Sequence, residues 1–154
     1  MYSLRALVGA GPVMRPIRVG TGAAHLVTLP QSFGLIPVTE RLLAFFHGEA
    51  PAPFPARPGF EYLSPAMEHW LAPFSQAGSI AYLEAEYFGG AGAQVAAVWT
   101  RGALTLEPGA GAPSINDALR VLGVVAQDGL DEFDTLHLGR CRETERWTSL
   151  ETVI

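Results

Sequence analysis

Lysine is absent from the chain, and all ten of its basic residues are arginine. A Walker-type phosphate loop, a Schiff base with pyridoxal phosphate and a lysine general base each require a lysine amine. The sequence therefore excludes these kinds of enzyme site. Arginine without lysine, together with abundant alanine, glycine and proline, is typical of proteins from GC-rich bacterial genomes.

Cysteine is nearly absent as well, because Cys141 is the single cysteine among 154 residues. One thiol cannot form an internal disulfide framework or a cysteine-ligated zinc site. Cys141 stands between Arg140 and Arg142, and neighbouring positive charges favour a lowered thiol pKa and a reactive cysteine. We favour the alternative, a buried or incidental thiol.

Charge is sparse: charged residues make up 16% of the chain, hydrophobic residues 49%, and the net charge is −5. No run of arginines forms the positive stripe that nucleic-acid binding needs, so we expect neither DNA nor RNA as a partner. A protein partner with a basic surface suits this balance, because complementary charges speed encounter. The low content of charged residues also fits a homo-oligomer, in which a second copy covers part of the surface.

Long apolar runs are missing too, since no segment reaches the roughly 18 consecutive apolar residues of a membrane span. The first residues, MYSLRALVGAGPVMRP, contain no sustained apolar region followed by a cleavage site. We therefore expect a cytoplasmic protein that does not enter a membrane.

The length predicts one domain over residues 1–154. Its centre is the stretch 79–107, where β-branched and aromatic residues alternate with glycine-containing breaks in the pattern of a β-meander. The predicted strands cover 80–88, 94–100 and 103–107, and cap residues with apolar periodicity predict helices near 39–47, 65–74 and 114–122. The expected fold class is α+β, with an antiparallel sheet covered on one face by these helices.

Outside this centre the patterns are weaker. Short strands are predicted at Tyr2–Val8, Pro16–Val19 and His25–Leu29. The four prolines between 50 and 59 predict an extended loop of polyproline character, with a recognition segment for an SH3-like partner as the alternative. A second loop is predicted at 108–113, a short helix or irregular chain at 130–138, and the tail 139–154 has no assignable pattern.

Glu84 and Glu86 are the strongest candidates for a functional site. Residues two apart in a strand point to the same face, so these carboxylates share one side of the central strand. With a hairpin that closes near 90–92, Gln94 joins that side. One interpretation is a pocket or protein-binding face, where adjacent carboxylates can split their pKa values and act as acid and base. The other is the solvated face of a sheet whose opposite face is core.

The remaining polar motifs give weaker signals. The glycines at 89, 90 and 92 lack the spacing and the following helix of a phosphate-binding loop, and a hairpin turn accounts for them. Asp131, Asp134 and His137 are metal-ligand types, but their loose spacing favours a solvated acidic turn. Arg140 and Arg142 could hold an anionic ligand, although pairing with neighbouring glutamates is the simpler expectation. No G-x-S-x-G occurs and no histidine stands near a nucleophile motif, so we expect no serine hydrolase, no metal and no cofactor.

Three segments, AYLEAEYFGG-x-GAQ-x-AAVW, SINDALRVLGV and DEFDTLHLGRCRETERW, together resemble a group of small bacterial proteins that have no assigned function. The resemblance runs over most of the chain. It implies a bacterial cytosolic protein and supplies no catalytic residue.

Two functional classes follow. The first is a binding protein of the immunity or antitoxin type, favoured by the acidic charge, the small size and the lack of a catalytic motif. It predicts that alanine at Glu84, Glu86 or Asp134 weakens partner binding without affecting folding. The second is a small enzyme or ligand-binding protein that uses Glu84 and Glu86 beside the glycine-rich turn. The candidate binding residues are Glu84, Glu86, Gln94, Asp131, Asp134, Arg140 and Arg142.

Overall fold

The computed structural model describes residues 1–48, 56–106 and 114–150 of the chain. Within these ranges one sheet contains β1 (Tyr2–Ala10), β2 (Val27–Thr28), β3 (Phe33–Pro37), β4 (Ile80–Phe88), β5 (Ala91–Thr100) and β6 (Ala103–Leu106). The same ranges contain α1 (Gly11–Thr21), α2 (Glu40–His47), α3 (Pro65–Leu71), α4 (Ile115–Leu122) and the single turn α5 (Glu132–Thr135). Short 3₁₀ turns lie at 30–32, 72–76, 138–140 and 144–149.

The strand order is β2-β3-β1-β4-β5-β6, and every neighbouring pair is antiparallel. β1 and β4 are the central strands, paired from Tyr2 opposite Tyr87 to Gly9 opposite Ile80. β4, β5 and β6 form the predicted meander, which confirms the α+β class with an antiparallel sheet. The N-terminal strand β1 shares the centre of the sheet with that meander.

Helices cover both faces of the sheet. On the side that we call the α2 face, Leu7 and Tyr82 belong to one apolar cluster with α1, α2 and α3. On the opposite side, the α4 face, Leu4 and Leu83 belong to a second cluster with α4 and Trp147. The prediction that all helices cover one face is therefore wrong. The middles of β1 and β4 are apolar at consecutive positions, which is typical of strands buried on both faces.

The turn between β4 and β5 contains two residues, Gly89 and Gly90, whose φ angles are 59° and 82°. A two-residue hairpin turn with positive φ at both positions strongly favours glycine, so the predicted hairpin turn is confirmed. A Cβ atom at Gly92 would overlap the carbonyl oxygen of Glu86, so close approach of the two strands requires this third glycine.

Because the turn is this tight, β5 begins at Ala91, and Gln94 lies opposite Ala85. Gln94 was expected on the side of Glu84 and Glu86, and that expectation is wrong, because its side chain lies on the α4 face. Side chains alternate between faces, so a shift of the pairing by one residue moves the whole following strand to the other face.

The predicted helix caps are present. The side chains of Thr39, Ser64 and Ser114 each accept a hydrogen bond from the backbone N–H three residues later. Asp117 accepts a hydrogen bond of 2.8 Å from the Ser114 N–H, which completes a capping box at the start of α4. Gly123, in the left-handed conformation, ends that helix as predicted.

The N-terminal third departs from the prediction. Pro16–Val19 lies in α1 and not in a strand, because Pro12 suits the first turn of a helix and an apolar stripe follows it. The predicted strand His25–Leu29 is reduced to the two residues of β2. β3, with the sequence FGLIP, is buried at every position and was not predicted as a strand. The buried stripe of α1 consists of Val13, Met14 and Ile17.

β3 pairs with only the second half of β1. The segment 138–150 lies beside the first half. Beside the first half, the Ser3 N–H donates to the Arg142 carbonyl at 2.9 Å. The Arg5 N–H donates to the Thr144 hydroxyl at 3.0 Å. The tail therefore completes the edge of a central strand. The predicted loop residues 50–55 and 108–113 and the strand end at Glu107 lie outside the described residues.

Candidate functional site

Each face of the sheet has a cavity at the same end, where β1 begins and the β4–β5 hairpin closes. The cavity on the α2 face, which we call the acidic groove, has a volume of about 290 Å³. The cavity on the α4 face, which we call the aromatic pocket, has a volume of about 440 Å³. The groove is lined by Ser3, Arg5, Glu61, Tyr62, Glu84 and Glu86, among others.

Glu84 is buried in the floor of the acidic groove, with 9% of its surface exposed. Its Oε1 accepts a hydrogen bond from the Glu61 N–H at 2.8 Å, and its Oε2 accepts one from the Tyr62 N–H at 2.9 Å. The Tyr82 hydroxyl donates to Oε2 at 2.8 Å. Three donors satisfy the buried carboxylate, which would otherwise be costly to remove from water. Glu84 therefore fixes the loop before α3 to the sheet.

Tyr82 lies fully buried beneath this carboxylate. Burial, and secondly the neighbouring charge of Glu84, raise the pKa of Tyr82 well above its ordinary value. The phenol is therefore protonated at neutral pH and donates its hydrogen bond to Glu84.

Arg5 stands opposite Glu84 on β1 and joins the groove to α2. Its Nε donates to the Val38 carbonyl at 3.0 Å, and its Nη2 donates to Glu40 at 3.2 Å. The guanidinium also lies over the ring of Tyr62, 4.4 Å from the ring centroid, in a cation–π contact. Arg5 thus braces the same loop that Glu84 holds.

The groove's other carboxylates face solvent. Glu61 and Glu86 are both exposed and line the cavity from its wall and its floor. Phe88 is two residues beyond Glu86 on the same face of β4 and is 73% exposed. Met1, 61% exposed, lines the rim. The groove therefore combines exposed carboxylates with the exposed side chain of Met1, and the exposed Phe88 lies beyond it on the same face of β4.

The aromatic pocket has walls from three separate elements. Tyr2 comes from β1, Tyr87 from β4 and Phe133 from α5. The rings of Tyr2 and Phe133 meet edge to face, with centroids 5.9 Å apart and an interplanar angle of 70°. The Tyr2 hydroxyl donates to the Leu138 carbonyl at 2.9 Å, and burial raises its pKa far above the ordinary value.

Two amide side chains of the pocket form hydrogen bonds with other parts of the protein. Gln94 donates from Nε2 to the Tyr87 hydroxyl at 2.9 Å and accepts from the Ile115 N–H at 2.8 Å. Asn116 donates to Asp131 at 3.1 Å and accepts from the Phe133 N–H at 2.8 Å. These bonds hold the start of α4, α5 and the hairpin together, so the pocket walls are fixed.

The predicted site residues therefore divide between two faces. Glu84 and Glu86 line the acidic groove, and Gln94, Asp131 and Arg142 line the aromatic pocket. Gln94 also borders the groove from the far side of its strand.

Asp134 and Arg140 lie exposed on the α4 side and line neither cavity. Neither Arg140 nor Arg142 forms an ion pair among the described residues, so the expected pairing with the neighbouring glutamates is absent there.

Cys141 is buried beside Tyr2. Burial raises the pKa of its thiol, and the nearby Arg140 and Arg146 lower it by less than burial raises it. Cys141 is therefore buried, as the sequence analysis favoured, and its raised pKa disfavours the thiolate form.

One histidine lies close to a serine hydroxyl, a pair that the sequence pattern did not predict. His47 Nε2 lies 2.6 Å from the Ser64 hydroxyl, and burial lowers the pKa of His47. Ser64 is 2% exposed and caps α3, so its oxygen is not open to a substrate. In the described part of the chain, no group of three or more histidine, cysteine, aspartate or glutamate side chains is arranged to hold a metal ion.

Sequence reasoning missed Arg5, Glu61 and Tyr62 in the groove and Tyr2 and Phe133 in the pocket. Arg5 had a usable signal, because it is a charged residue within a predicted apolar strand, and such a residue needs a partner. The others carry no local signal, since the tertiary fold alone brings their loops to the sheet.

No protein-family model matches the chain, and neither does any curated protein or solved structure. Among the described residues, no helix is long and apolar enough to cross a membrane.

Proposed function

We propose that this chain is a binding protein of the immunity or antitoxin type, which neutralises a basic partner protein through the acidic groove. One observation carries the proposal: the exposed carboxylates of Glu61 and Glu86 line the same groove, and the exposed Phe88 lies two residues beyond Glu86 on the same face of β4. Aromatic anchors surrounded by polar groups are typical of the residues that dominate binding energy at protein interfaces.

The fixed parts of the groove support a preorganised surface. Glu84 and Arg5 tie the loop that carries Glu61 to two different strands. A loop held in its binding conformation loses little entropy when a partner arrives. The net charge of −5 and the lack of lysine favour a basic partner, because complementary fields speed association.

The alternative, a small enzyme that uses Glu84 and Glu86 as a carboxylate pair, has less support. Glu84 is occupied by three hydrogen bonds from the protein itself. The glycines beside it form a hairpin turn and a close strand contact. Two carboxylates that work as acid and base both need access to the substrate, and Glu86 alone has it.

The experiment is an affinity capture from the native cell lysate with tagged protein, followed by mass spectrometry. The test variants are the double substitution Glu61→Gln/Glu86→Gln and the single substitution Phe88→Ser. Asp128→Asn and Val125→Ser are the matched controls, because both residues are exposed and distant in the fold from the groove.

A stoichiometric basic protein should be recovered with the wild type and with both controls. Recovery should fall by about tenfold or more in the test variants, equivalent to about 1.4 kcal/mol of binding free energy. It should also fall with added salt, which screens exposed charges. Equal recovery by all variants, or a homodimer with nothing attached, would contradict the proposal. The product of a gene adjacent to this one is the first partner to compare with the captured protein.

A further inference from the structure

The aromatic pocket on the α4 face is separate from the groove of the proposed function and has a different chemistry. Its volume of about 440 Å³ lies within the range of small-molecule sites, roughly 300–1,000 Å³. Residues of β1, β4, β5, α4, α5 and the C-terminal segment enclose it. We propose that this pocket binds a small organic carboxylate whose body is an aromatic or similarly flat apolar ring.

The walls select a flat apolar body. Tyr2 and Tyr87 stand opposite each other on β1 and β4, and Phe133 meets Tyr2 edge to face. Aromatic rings in offset or edge-to-face contact gain energy beyond the apolar area that they bury. Ile115, which is almost fully buried, adds an aliphatic surface at the start of α4. A ring can therefore contact three aromatic side chains at once.

The neutral polar groups of the pocket each form hydrogen bonds within the protein. The amides of Gln94 and Asn116 each donate one hydrogen bond and accept another within the protein. The Tyr2 hydroxyl donates to a backbone carbonyl. Each amide has a second N–H and the Tyr87 hydroxyl has its proton without a partner among the described residues, so the walls offer donors that suit the acceptor oxygens of a carboxylate.

Arg142 is the one cation among the residues that line the pocket. Its side chain is exposed, and no hydrogen bond or ion pair of its guanidinium occurs in the part of the chain that the structure describes. Its backbone carbonyl accepts the bond from Ser3, so the base of the residue is anchored to β1. A free guanidinium on a fixed backbone matches the two oxygens of a carboxylate.

The negative charge of Asp131 affects which anions the pocket can bind. Asp131 lines the same pocket, and its Oδ1 and Oδ2 accept bonds from the Asp134 N–H and from Asn116. Asp131 offsets the charge of Arg142, so the pocket has no surplus positive charge, and removing a phosphate dianion from water there costs more than removing a monocarboxylate. The pocket therefore favours a monocarboxylate over a phosphate ester.

The test is an NMR titration of the ¹⁵N-labelled full chain with four probes. Phenylacetate carries both the ring and the charge. Phenylacetamide keeps the ring without the charge, acetate keeps the charge without the ring, and phenyl phosphate replaces the carboxylate by a dianion. We expect saturable binding of phenylacetate, with shifts centred on the side-chain amides of Gln94 and Asn116. Each of the other probes should bind about tenfold more weakly or worse.

Arg142→Gln should weaken phenylacetate binding by at least about tenfold, because a charge-assisted bidentate contact is lost. Arg140→Gln is the matched control, since Arg140 is an exposed arginine two residues away that does not line the pocket. Phe133→Leu removes a ring while it keeps an apolar side chain, and it should weaken phenylacetate more than acetate.

The wild-type titration alone can overturn the proposal, so it does not depend on any variant folding. No saturable shift below about 10 mM phenylacetate would refute it. So would equal binding of phenylacetamide, shifts that map to the acidic groove, or equal loss in Arg142→Gln and Arg140→Gln. Preferred binding of phenyl phosphate would refute the assignment to monocarboxylates.

Discussion

Glu84 and Glu86 lie two positions apart on one strand and point to the same face, yet they have different environments. The loop before α3 passes directly over Glu84 and donates two backbone N–H groups to it. Glu86, nearer the hairpin, lies beyond that loop and faces solvent. The strand sets the direction of both side chains, and the covering loop determines that only Glu84 is a structural group.

We expect Glu84→Gln to lower the free energy of unfolding by about 2–3 kcal/mol. An amide presents only one acceptor, so one of the two loop N–H groups would face an NH₂ group and lose its partner. Glu86→Gln should change the stability by less than about 0.5 kcal/mol, because that side chain is exposed. Urea denaturation of both variants measures the two effects.

Because Glu84 has this structural role, substitution at Glu84 is not a suitable test of partner binding. Alanine at this position would disturb the loop that carries Glu61, so weaker binding would not separate contact from folding. If both glutamine variants had the wild-type midpoint of unfolding, the assigned structural role of Glu84 would be wrong, and the other contacts of the loop, such as those of Arg5 and the buried Phe60, would hold it.

At the scale of single elements, the features that depend on neighbours in sequence were predictable. Serine or threonine before an apolar stripe located the starts of α2, α3 and α4, and the paired glycines located the hairpin. Each of these is a local backbone requirement for a hydrogen-bond acceptor or for positive φ. Such requirements appear in the sequence because few residue types meet them.

The features that depend on distant contacts were not predictable. The FGLIP strand lacks alternation because both of its faces are buried, and the tail beside β1 uses a backbone carbonyl and a threonine hydroxyl instead of a regular strand. Likewise, the sequence marked Gln94, Asp131 and Arg142 separately as binding residues. Only the fold brings these three together, on the face opposite Glu84.

The capping box of α4 allows an element-level prediction. Ser114→Ala should lower the free energy of unfolding by about 1 kcal/mol, because the Asp117 N–H loses its acceptor. The Ser114 backbone N–H, then its hydroxyl, and Arg120 hold the pKa of Asp117 below its ordinary value. A carboxylate with a lowered folded-state pKa stabilises the fold above its unfolded-state pKa, about 3.9, and loses that effect as the pH falls through the folded value.

The difference in stability between wild type and Asp117→Asn should therefore be present at neutral pH and shrink below about pH 4. Chemical denaturation at a series of pH values measures it. Asp128→Asn serves as the control, since Asp128 is exposed and lies outside any helix. A difference that grows toward low pH would contradict the assigned role of Asp117.

At the scale of the whole molecule, the helices and loops that cover the two faces leave the same end of the sheet uncovered. The acidic groove and the aromatic pocket therefore lie back to back, and Ala85 and Gln94 border both. Strands β1, β4 and β5 contribute residues to both cavities. Apart from Ala85 and Gln94, the two cavities have different linings.

The C-terminal segment joins these two sites to the core. Trp147 is fully buried in the apolar cluster of the α4 face. Its neighbours in the segment supply the bonds to Ser3 and Arg5 beside β1, and His25 Nε2 lies 2.8 Å from the Leu150 carbonyl. A segment without regular secondary structure is thereby attached to the centre of the sheet.

Trp147→Ala should lower the free energy of unfolding by about 3–5 kcal/mol, because it opens a large cavity in a packed core. Trp147→Phe should lower it by only about 1–2 kcal/mol. The indole N–H is buried without a hydrogen-bond partner among the described residues, so phenylalanine removes an unsatisfied donor along with part of the ring. Urea unfolding followed by far-UV circular dichroism compares the two variants without relying on tryptophan fluorescence. Equal and small losses would contradict the assigned role of Trp147 in attaching the C-terminal segment to the core.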